Sequence, residues 1–542
     1  MKKIIALVLS LAICFLIGCT ANETTASSTA PPVATLPQAQ ETTVGTDRKT
    51  DAATATQTTV TPPTVTTEHS EEPTTEQTTV QTTAPLPPPP TSWNGYTRLP
   101  GTEHINFNGR TFVIAGYLGG DGGTDNANEI YAEGSTSVDY AVRERNQAIE
   151  VLYNCTILPY FSARPVEVTA SYIRCGRDDI DLYAAKYAVL NSAKNKHNHS
   201  LYNLGMDLSA PYWDQSFVEG YTAKQGNTSA LISITGDFSY HSFDMTQVIL
   251  FNRDLYHDVF AMSGDYADAY RFVHEGNWTV DTYAALLKYG EASLLQSNAV
   301  GWVHPRRALS SAYTAADLSL IGNVNGNFVY GLLEDTAGSS RKLDQATTLW
   351  NLAQSKTASE LEAREIFSAG GALFLSDIML SLKDLSKAAD FGIGVLPYPK
   401  ADPAQTEYVH TVHADMVTYQ VPITVQNPSE LGKFFEIYAA FSRMFVRPAW
   451  IEMQAYEYCA DPEVVEMLTL ILDSRRYDPA HLIWTEYEQP ITQMIENEKN
   501  TLERHVSKAT GDVVNDVTSF YNQTLFAHTE SKLAANRAYP AG

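Results

Sequence analysis

The chain has 542 residues, and its 62 acidic side chains against 37 Lys and Arg give a net charge of −25. Such an acidic protein repels phosphate backbones, so no nucleic-acid partner is expected, and a single apolar run, at the N-terminus, excludes a protein with several membrane spans. Residues 20–92 contain no Phe, Tyr or Trp, so the part able to bury a core begins near Trp93.

Residues 1–19 have the pattern of a bacterial secretion signal. Lys2 and Lys3 precede an apolar stretch, 4–17, that is too short to span a membrane comfortably. Gly18 and Cys19 follow the stretch, and the sequence Leu16-Ile17-Gly18-Cys19 resembles the lipobox of bacterial lipoproteins. The resemblance implies that Cys19 carries a lipid that holds the protein to the extracellular face of the cell membrane. The alternative is a soluble secreted protein with an incidental Cys.

A spacer is predicted to follow the signal. Thr, Pro, Ala, Ser and Gln dominate residues 20–92. Segments of this composition cannot bury enough apolar area to offset the loss of chain entropy on folding. We therefore predict a disordered tether between the membrane and the folded part of the chain, which we call the body.

The body contains three cysteines, Cys155, Cys175 and Cys459. An odd number does not make a complete disulfide framework. We expect free, buried thiols, with a Cys155–Cys175 disulfide as the alternative.

The first part of the body alternates between strand and helix patterns. Residues 110–117 are rich in β-branched and aromatic side chains and predict a buried strand, and 156–160 and 180–184 predict two more. Apolar residues at helical spacing predict helices over 137–153 and 166–174. This order is typical of a parallel α/β sheet.

The alternation continues to the end of the body. The further predicted elements are strands at 245–252, 372–375 and 391–399, and helices at 254–262, 279–289, 359–367, 429–445, 462–472 and from 491 onward. Thr279 and Ser359 stand where an N-cap is expected. No internal repeat is visible.

Four segments of the body resemble one protein family. They are Gly236-Asp-Phe-Ser with Val248-Ile-Leu-Phe-Asn252-Arg-Asp-Leu, Gly276-Asn-Trp278-Thr-Val-Asp281-Thr-Tyr, Phe367-Ser-Ala-Gly-Gly-Ala-Leu-Phe374, and Phe391-Gly-Ile-Gly-Val-Leu-Pro397-Tyr-Pro. In this order, behind a lipobox, they resemble the carbohydrate-binding, maltose-binding-protein-like family of extracellular solute-binding proteins, the lipoprotein component of ABC importers. The resemblance runs from about Thr111 to Asn497. It points to a family and to no particular ligand.

The resemblance implies a fold of the α/β class, a two-lobe periplasmic-binding-protein-like clamshell whose hinge consists of crossing strands. The implied lobes are residues 93–245 and 405–450 for lobe 1, and residues 246–404 and 451–542 for lobe 2. The implied crossings lie near residues 243–249, 399–415 and 444–459.

The resemblance also implies a function. A solute that contacts both lobes only in the closed state stabilises that state, and a membrane permease then recognises the closed shape. We expect a small solute, a sugar or oligosaccharide, an ABC permease as partner, a monomer, no cofactor and no enzymatic activity. Two alternatives stay open: a surface-anchored glycoside hydrolase, and a binding protein that serves a sensor.

Ligands of open α/β sheets bind beyond the carboxyl ends of strands. The expected ligand contacts are polar and aromatic side chains that follow predicted strands or lie near predicted crossings, a mixture that suits sugar hydroxyls and sugar ring faces. They are Tyr117, Trp213, Asp237, Tyr240, His241, Trp302, Asp377, Asp415 and Trp484. A core position is the alternative for the tryptophans. Ile378 and Met379 stand where some family members carry a Trp, which argues against a long stacking platform.

No metal site is expected. His197 and His199 lie in a loop rich in Lys and Asn, which favours a solvated loop. The acidic segment 121–129 has Asn126 and Ala132 where an EF-hand loop requires Gly and Glu.

Overall fold

The structure is a computed structural model that describes residues 89–120, 123–186, 198–352, 355–482 and 485–509. The predicted signal, Cys19 and most of the predicted tether lie outside the described residues, and so does Trp484. Ser92, the last residue of the predicted tether, already pairs with Thr97 in a short antiparallel ribbon.

The described part of the chain is mixed α/β. Its strands are β1 (Ser92–Trp93), β2 (Tyr96–Thr97), β3 (Arg110–Tyr117), β4 (Cys155–Ser162), β5 (Leu182–Lys186), β6 (Ala223–Gln225), β7 (Thr228–Ala230), β8 (Gln247–Asn252), β9 (Val300–Pro305), β10 (Ile321–Val324), β11 (Asn327–Tyr330), β12 (Ser355–Ala358), β13 (Ala372–Ile378), β14 (Ile393–Leu396), β15 (His410–Thr411), β16 (Val417–Gln420) and β17 (Arg475–Arg476). Its α-helices are α1 (Ala127–Ile130), α2 (Ser137–Tyr153), α3 (Pro165–Arg174), α4 (Gln215–Tyr221), α5 (Tyr240–Asp244), α6 (Arg253–Phe260), α7 (Ala269–His274), α8 (Val280–Gln296), α9 (Leu309–Ala315), α10 (Thr336–Trp350), α11 (Glu360–Ser368), α12 (Leu382–Ala388), α13 (Pro428–Glu452), α14 (Glu463–Asp473), α15 (Pro479–Leu482), α16 (Thr485–Glu496) and α17 (Leu502–Ala509). A π-helical segment, Met453–Tyr458, follows α13 directly.

The first main sheet has the strand order β16–β5–β3–β4. β3 pairs in parallel with β4 and β5, and β16 is antiparallel to β5. The three parallel strands therefore end at one edge, where Val417 of β16 lies opposite Lys186. α13 covers this sheet, and the rings of Phe112 and Phe434 stack at 3.8 Å. Burial of such aromatic and aliphatic side chains is what stabilises this half of the body.

The second main sheet has the strand order β12–β9–β13–β8–β14. β12, β9 and β13 are parallel, and β8 is antiparallel to both β13 and β14. The start of β8 therefore lies beside the carboxyl end of β13, where Gln247 pairs with Ile378. α8 packs on this sheet through Tyr283, whose ring lies 5.1 Å from that of Phe374.

Within the described residues, the chain passes between the two main sheets three times. The first passage leads through α5 into β8, the second leads from β14 to β16, and the third follows α13. Thr246 of the first passage and Val412 of the second form an antiparallel bridge, and the backbone N–H of His413 donates to the Met245 carbonyl at 2.9 Å. These contacts lie within two of the segments where crossings are predicted.

The predicted fold class is confirmed, because the described residues form two α/β sheets joined by crossing segments. β3 and α2 have the predicted bounds. Thr279 and Ser359 cap α8 and α11 as predicted, since their side chains accept hydrogen bonds from backbone N–H groups of the first turns.

Several elements differ from the sequence prediction, and the helices α4, α7, α9, α10 and α12 were not predicted at all. α13 continues beyond residue 445, through Pro448 to Glu452, because Val446 and Trp450 are buried and tertiary packing outweighs the unfavourable proline. At 25 residues it is a long helix, but among the described residues no helix is both long and apolar enough to cross a membrane. The hairpins β6–β7 and β10–β11 were not predicted, since strands of three or four residues show little periodicity.

The three cysteines of the body are free. Cys155 and Cys459 are buried as predicted, and burial raises the pKa of each thiol to about 12, so neither ionises readily at neutral pH. Cys175 is exposed, contrary to the prediction, because it ends α3 at the surface.

Candidate functional site

Polar side chains gather where the parallel strands of the first main sheet end. Lys186 ends β5 and Asp415 precedes β16, and Lys186 Nζ lies 3.4 Å from Asp415 Oδ1. The hydroxyl of Tyr117, at the end of β3, accepts the backbone N–H of Lys186 at 3.3 Å. The Asp415 side chain is 49% exposed, so this pair is open to solvent on one side. We call Tyr117, Lys186 and Asp415 the first-sheet edge.

A tighter set of charges lies at the corresponding edge of the second main sheet. Asp377, near the end of β13, accepts from Arg307 and Arg364 at 2.5 Å each and from the backbone N–H of Ile378 at 2.8 Å. Arg307 also lies 2.8 Å from Glu360. The Asp377 side chain is only 2% exposed. We call Arg307, Glu360, Arg364 and Asp377 the second-sheet edge.

His413 lies between these two edges, on the second passage. Its Nδ1 accepts the backbone N–H of Asp415 at 3.2 Å, so the proton of the neutral ring lies on Nε2. The charges of Arg307 and Asp377 both influence the pKa of the His413 ring. Burial, assisted by Arg307, lowers the pKa of His413 to about 4, so the imidazole is neutral at neutral pH.

His241 brings a second neutral imidazole to the same region. It lies on α5, in the first passage, and the charges of Asp415 and Lys186 both influence its pKa. Burial lowers the pKa of His241 to about 4. Its Nδ1 has no hydrogen-bond partner among the described residues, so the atom can bond to a bound molecule.

Glu129 fixes the position of His241. Its buried carboxylate accepts from the Tyr419 hydroxyl at 2.6 Å, from Asn126 Nδ2 at 2.7 Å and from the backbone N–H of His241 at 2.9 Å. Burial raises the pKa of Glu129, and these hydrogen bonds oppose the rise. One carboxylate thus ties together α1, the first passage and β16.

The structure brings together four of the residues predicted from the sequence. Tyr117, His241 and Asp415 lie at or near the first-sheet edge, and Asp377 lies at the second-sheet edge, with His413 between them. Trp484 lies outside the described residues.

Asp237 and Tyr240 are placed differently. Asp237 is buried, with its two oxygens 2.7 Å from Arg443 and 3.0 Å from Arg447 on α13, so its carboxylate is already engaged within the protein. Tyr240 begins α5 beside Glu129, and burial raises the pKa of its phenol well above the usual range.

Trp213 and Trp302 lie in the core. Trp213 Nε1 donates to the Asp207 carbonyl at 2.9 Å, and its ring packs edge-to-face on Phe435 at 5.0 Å. Trp302, inside β9, has no exposed surface and donates to Ser376 Oγ at 3.0 Å. A buried ring has no face for a sugar, so in this structure both tryptophans serve packing, the alternative considered for them.

Five residues of the site were not singled out as site residues from the sequence: Glu129, Lys186, Arg307, Glu360 and Arg364. Lys186 follows the predicted strand at 180–184 by two residues, and Arg307 follows β9 by two residues, so their positions near strand ends were the available signals. Glu129 belongs to the acidic segment that fails as a calcium loop, and only its burial reveals its role.

Within the described ranges, no three His, Cys, Asp or Glu side chains are arranged to hold a metal ion. A separate cavity of about 520 Å³ lies beside the second passage and is lined in part by Asp317, Lys342, Glu407 and Arg476. Its central carboxylate, Asp317, is paired at 2.8 Å with Lys342 and at 2.5 Å with Arg476.

Comparison with known proteins adds a likeness to solved structures. No protein-family model and no curated protein matches the chain. Among solved structures, the chain is similar to a cyclo/maltodextrin-binding protein complexed with maltotetraose, with 11% sequence identity, a TM-score of 0.43, and 78% of this chain and 97% of that chain covered. A likeness at this level transfers neither a ligand nor an activity to this chain.

Proposed function

We propose that this chain is an extracellular solute-binding protein that captures a small solute, a sugar or oligosaccharide, and delivers it to an ABC permease. The observation that carries the proposal is the position of His413 on a crossing segment, between the charged edges of two α/β sheets. A solute held there contacts both sheets, and its higher affinity for the closed arrangement drives closure.

The proposal includes attachment to the extracellular face of the bacterial cell membrane through a lipid on Cys19. Its support is the signal pattern and lipobox of residues 1–19. Replacement of Cys19 by Ser is expected to move the protein from the membrane fraction to the soluble fraction. Equal membrane fractions for both proteins would contradict the anchor.

A non-catalytic role is the better reading of the carboxylates. Most glycosidases need one carboxyl group able to donate a proton and a second one free to attack or to activate water. Asp377 is engaged by two guanidinium groups and a backbone N–H, so it is poorly placed for either role. Hydrolysis is therefore an outcome of the test below and not part of the proposal.

The test is a thermal-shift screen of the purified full chain against mono- and oligosaccharides including maltotetraose, peptides and amino acids, followed by analysis of each solute after incubation. A solute that binds only the folded state raises the melting temperature in proportion to its concentration over Kd. We expect a dose-dependent rise with a saccharide that is recovered intact. A cleaved saccharide would support the surface hydrolase, and a rise with peptides alone would contradict the solute class.

Two variants sharpen this screen. His413→Leu removes the polar ring between the two edges and is expected to abolish the ligand-induced rise. His257→Leu changes an imidazole whose side chain is 78% exposed, and it should keep the full rise.

The partner is tested separately. Affinity capture from the native membrane, with the lipidated chain as bait and the saccharide present, is expected to recover permease subunits. Recovery of a sensor kinase in their place would favour the sensor alternative.

A further inference from the structure

Two short hairpins, one from each half of the body, meet outside the three passages. β6–β7 lies between α4 and the first passage, and Ile234, just beyond it, forms a bridge with Tyr419 of the first main sheet. β10–β11 lies between β9 and β12, which are strands of the second main sheet. The two hairpins are therefore held by different sheets.

Hydrogen bonds join the two hairpins directly. The backbone N–H of Lys224, in β6, donates to the Gly326 carbonyl at the tip of β10–β11 at 2.9 Å. Asn323 Nδ2, in β10, donates to the Thr222 carbonyl at 2.7 Å and to the Glu219 carbonyl at 3.0 Å. We call Thr222, Lys224, Asn323 and Gly326 the clasp.

The tip of β10–β11 has the shape that this contact requires. Asn325 and Gly326 have φ angles of 54° and 85°, in the tight turn that an Asn-Gly pair favours in a hairpin. Asn323 Oδ1 accepts the Gly326 N–H at 2.8 Å, so one side chain holds its own turn with its oxygen and the other hairpin with its nitrogen. Gly326 is buried although it lies at a hairpin tip, and a Cβ there would come within 2.3 Å of Lys224 Cγ.

The chain that follows α14 supports the same contact. Arg475 Nη2 and the Tyr477 hydroxyl bind Asp214, the N-cap of α4, at 2.7 and 2.8 Å. Asp478 accepts the backbone N–H of Leu320, which leads into β10, at 2.6 Å. Residues 475–478 therefore bind the chain ahead of each hairpin.

A contact of this kind opposes relative motion of the two sheets. The passages are covalent and can bend as the sheets rotate, whereas a hydrogen bond is lost once its donor and acceptor are more than about 3.5 Å apart. A rotation about any axis that does not run through the clasp therefore breaks these bonds. While they are intact, the distance between the first-sheet edge and the second-sheet edge is fixed.

We propose that the clasp holds the two sheets in the arrangement of this structure and opens when the two edges move apart. Asn323 is the central positioning residue, because its side chain fixes both the hairpin tip and the neighbouring hairpin. The clasp is a property of the chain without solute. The inference therefore goes beyond the proposed function and is tested in the ligand-free protein.

The test measures the distance between two spin labels in the full chain by double electron–electron resonance. The labels are attached to genetically encoded unnatural amino acids that replace Leu118 and Leu361. Both leucines are exposed, and they directly follow Tyr117 and Glu360 of the two edges. With the clasp unaltered, we expect a single narrow distance distribution.

Two variants weaken the clasp from different causes. Asn323→Ala removes the bonds to the Thr222 and Glu219 carbonyls, and Gly326→Ala places a Cβ against the Lys224 side chain. Each is expected to raise the ratio of long-distance to short-distance molecules about tenfold, the effect of losing one or two hydrogen bonds. The double variant should show a second, longer distance as a distinct maximum.

Each variant has a matched control within one half of the body. Asn351→Ala removes Nδ2 bonds to the Thr347 and Ile495 carbonyls, which join α10 to α16. Gly370→Ala has a similar positive φ of 76°, but its Cβ would meet no described atom within 4 Å. Both controls should lower the melting temperature and keep the single distance.

Three results would overturn the inference. One is several distances in the unaltered chain, and another is the same single distance in the chain and in all three clasp variants. The third is a longer distance in the controls, since any loss of stability would then separate the edges. None of these results involves a saccharide, so failure of the clasp and failure of the proposed function are distinguishable.

Discussion

The two sheet edges hold their charges in different ways. At the first-sheet edge, Lys186 and Asp415 lie 3.4 Å apart and the carboxylate is half exposed, whereas Asp377 at the second-sheet edge is buried between two guanidinium groups at 2.5 Å. Exposed pairs contribute little to stability and exchange partners readily, while buried pairs fix a geometry. The first-sheet edge is thus adjustable and the second-sheet edge is pre-organised.

The largest effect is expected from Asp377→Ala. The change leaves Arg307 and Arg364 without their buried counter-ion, and breaking a buried pair in this way costs about 3–5 kcal/mol of unfolding free energy. Urea denaturation measures the loss. The control is Asp384→Ala, which removes an exposed pair with Lys387 at 3.8 Å and should change the free energy by less than about 0.5 kcal/mol. A loss below about 1 kcal/mol for Asp377→Ala would show that the second-sheet edge is not pre-organised.

His304 is a buried, neutral imidazole near the end of β9, and His304→Phe tests its contribution to the pH dependence of stability. The pKa of His304 is about 3 in the folded protein and about 6.5 in an unfolded chain, so the unfolded state binds more protons between these values. Stability is therefore lost as the pH falls from 6.5 toward 3, and at pH 5 this one group accounts for about 2 kcal/mol. Between pH 7 and pH 5, the unfolding free energy of the variant should fall by about 2 kcal/mol less than that of the unaltered chain.

Trp350→Phe is the control for that change, because the Trp350 ring contacts that of His304 with the ring centroids 4.1 Å apart, and the indole does not titrate. It should lower the unfolding free energy by the same amount at both pH values. Parallel curves for His304→Phe would contradict the assignment of the pH dependence to this imidazole.

Glu129→Gln tests how firmly the first passage is held to the first sheet. The amide keeps the shape of the carboxylate but replaces one acceptor with a donor, so one of the bonds from Tyr419, Asn126 or the His241 N–H is lost. We expect a loss of about 1–2 kcal/mol, and faster hydrogen exchange at the His241 amide. Glu133→Gln, at an exposed position, should leave the exchange rate unchanged. Unchanged exchange in Glu129→Gln would mean that the carboxylate does not position His241.

Asp415→Asn should have the smallest effect. The pair with Lys186 is long and half exposed, so its loss should change the unfolding free energy by less than about 1 kcal/mol. Urea denaturation of this variant beside Asp377→Ala compares directly how much the ion pairs of the two edges contribute to the unfolding free energy. A loss as large as that of Asp377→Ala would remove the distinction between them.

Part of the fold could be predicted because several of its long elements have clear periodicity. β3 is a run of β-branched and aromatic residues, and α2 has apolar residues at helical spacing with a Thr136 and Asp139 capping box. Short hairpins and the extension of α13 depend on contacts distant in sequence, which local patterns do not contain.

The candidate site was partly predictable for a related reason. Tyr117 and Asp377 were found because they stand at strand ends, a local feature. Asp415 and its neighbour His413 were found because they lie near a predicted crossing, whereas the role of Arg307 depends on which strands are neighbours, which is known only from the sheet order. Trp213 and Trp302 drew attention as aromatic residues, but the same residue type serves the core, and burial cannot be read from type alone.

The two arginines of α13 that hold Asp237 constrain any opening motion of the molecule. Arg443 and Arg447 stand one helical turn apart, and both bind the carboxylate that precedes α5, so the helix and the first passage move as one body. Arg447 also reaches Asp473 of α14, but that partner is 61% exposed and the contact is the weaker one. The rotation axis of the second sheet is therefore expected to pass through the chain beyond Arg447, where Pro448 and the wide turns of Met453–Tyr458 interrupt the regular helix.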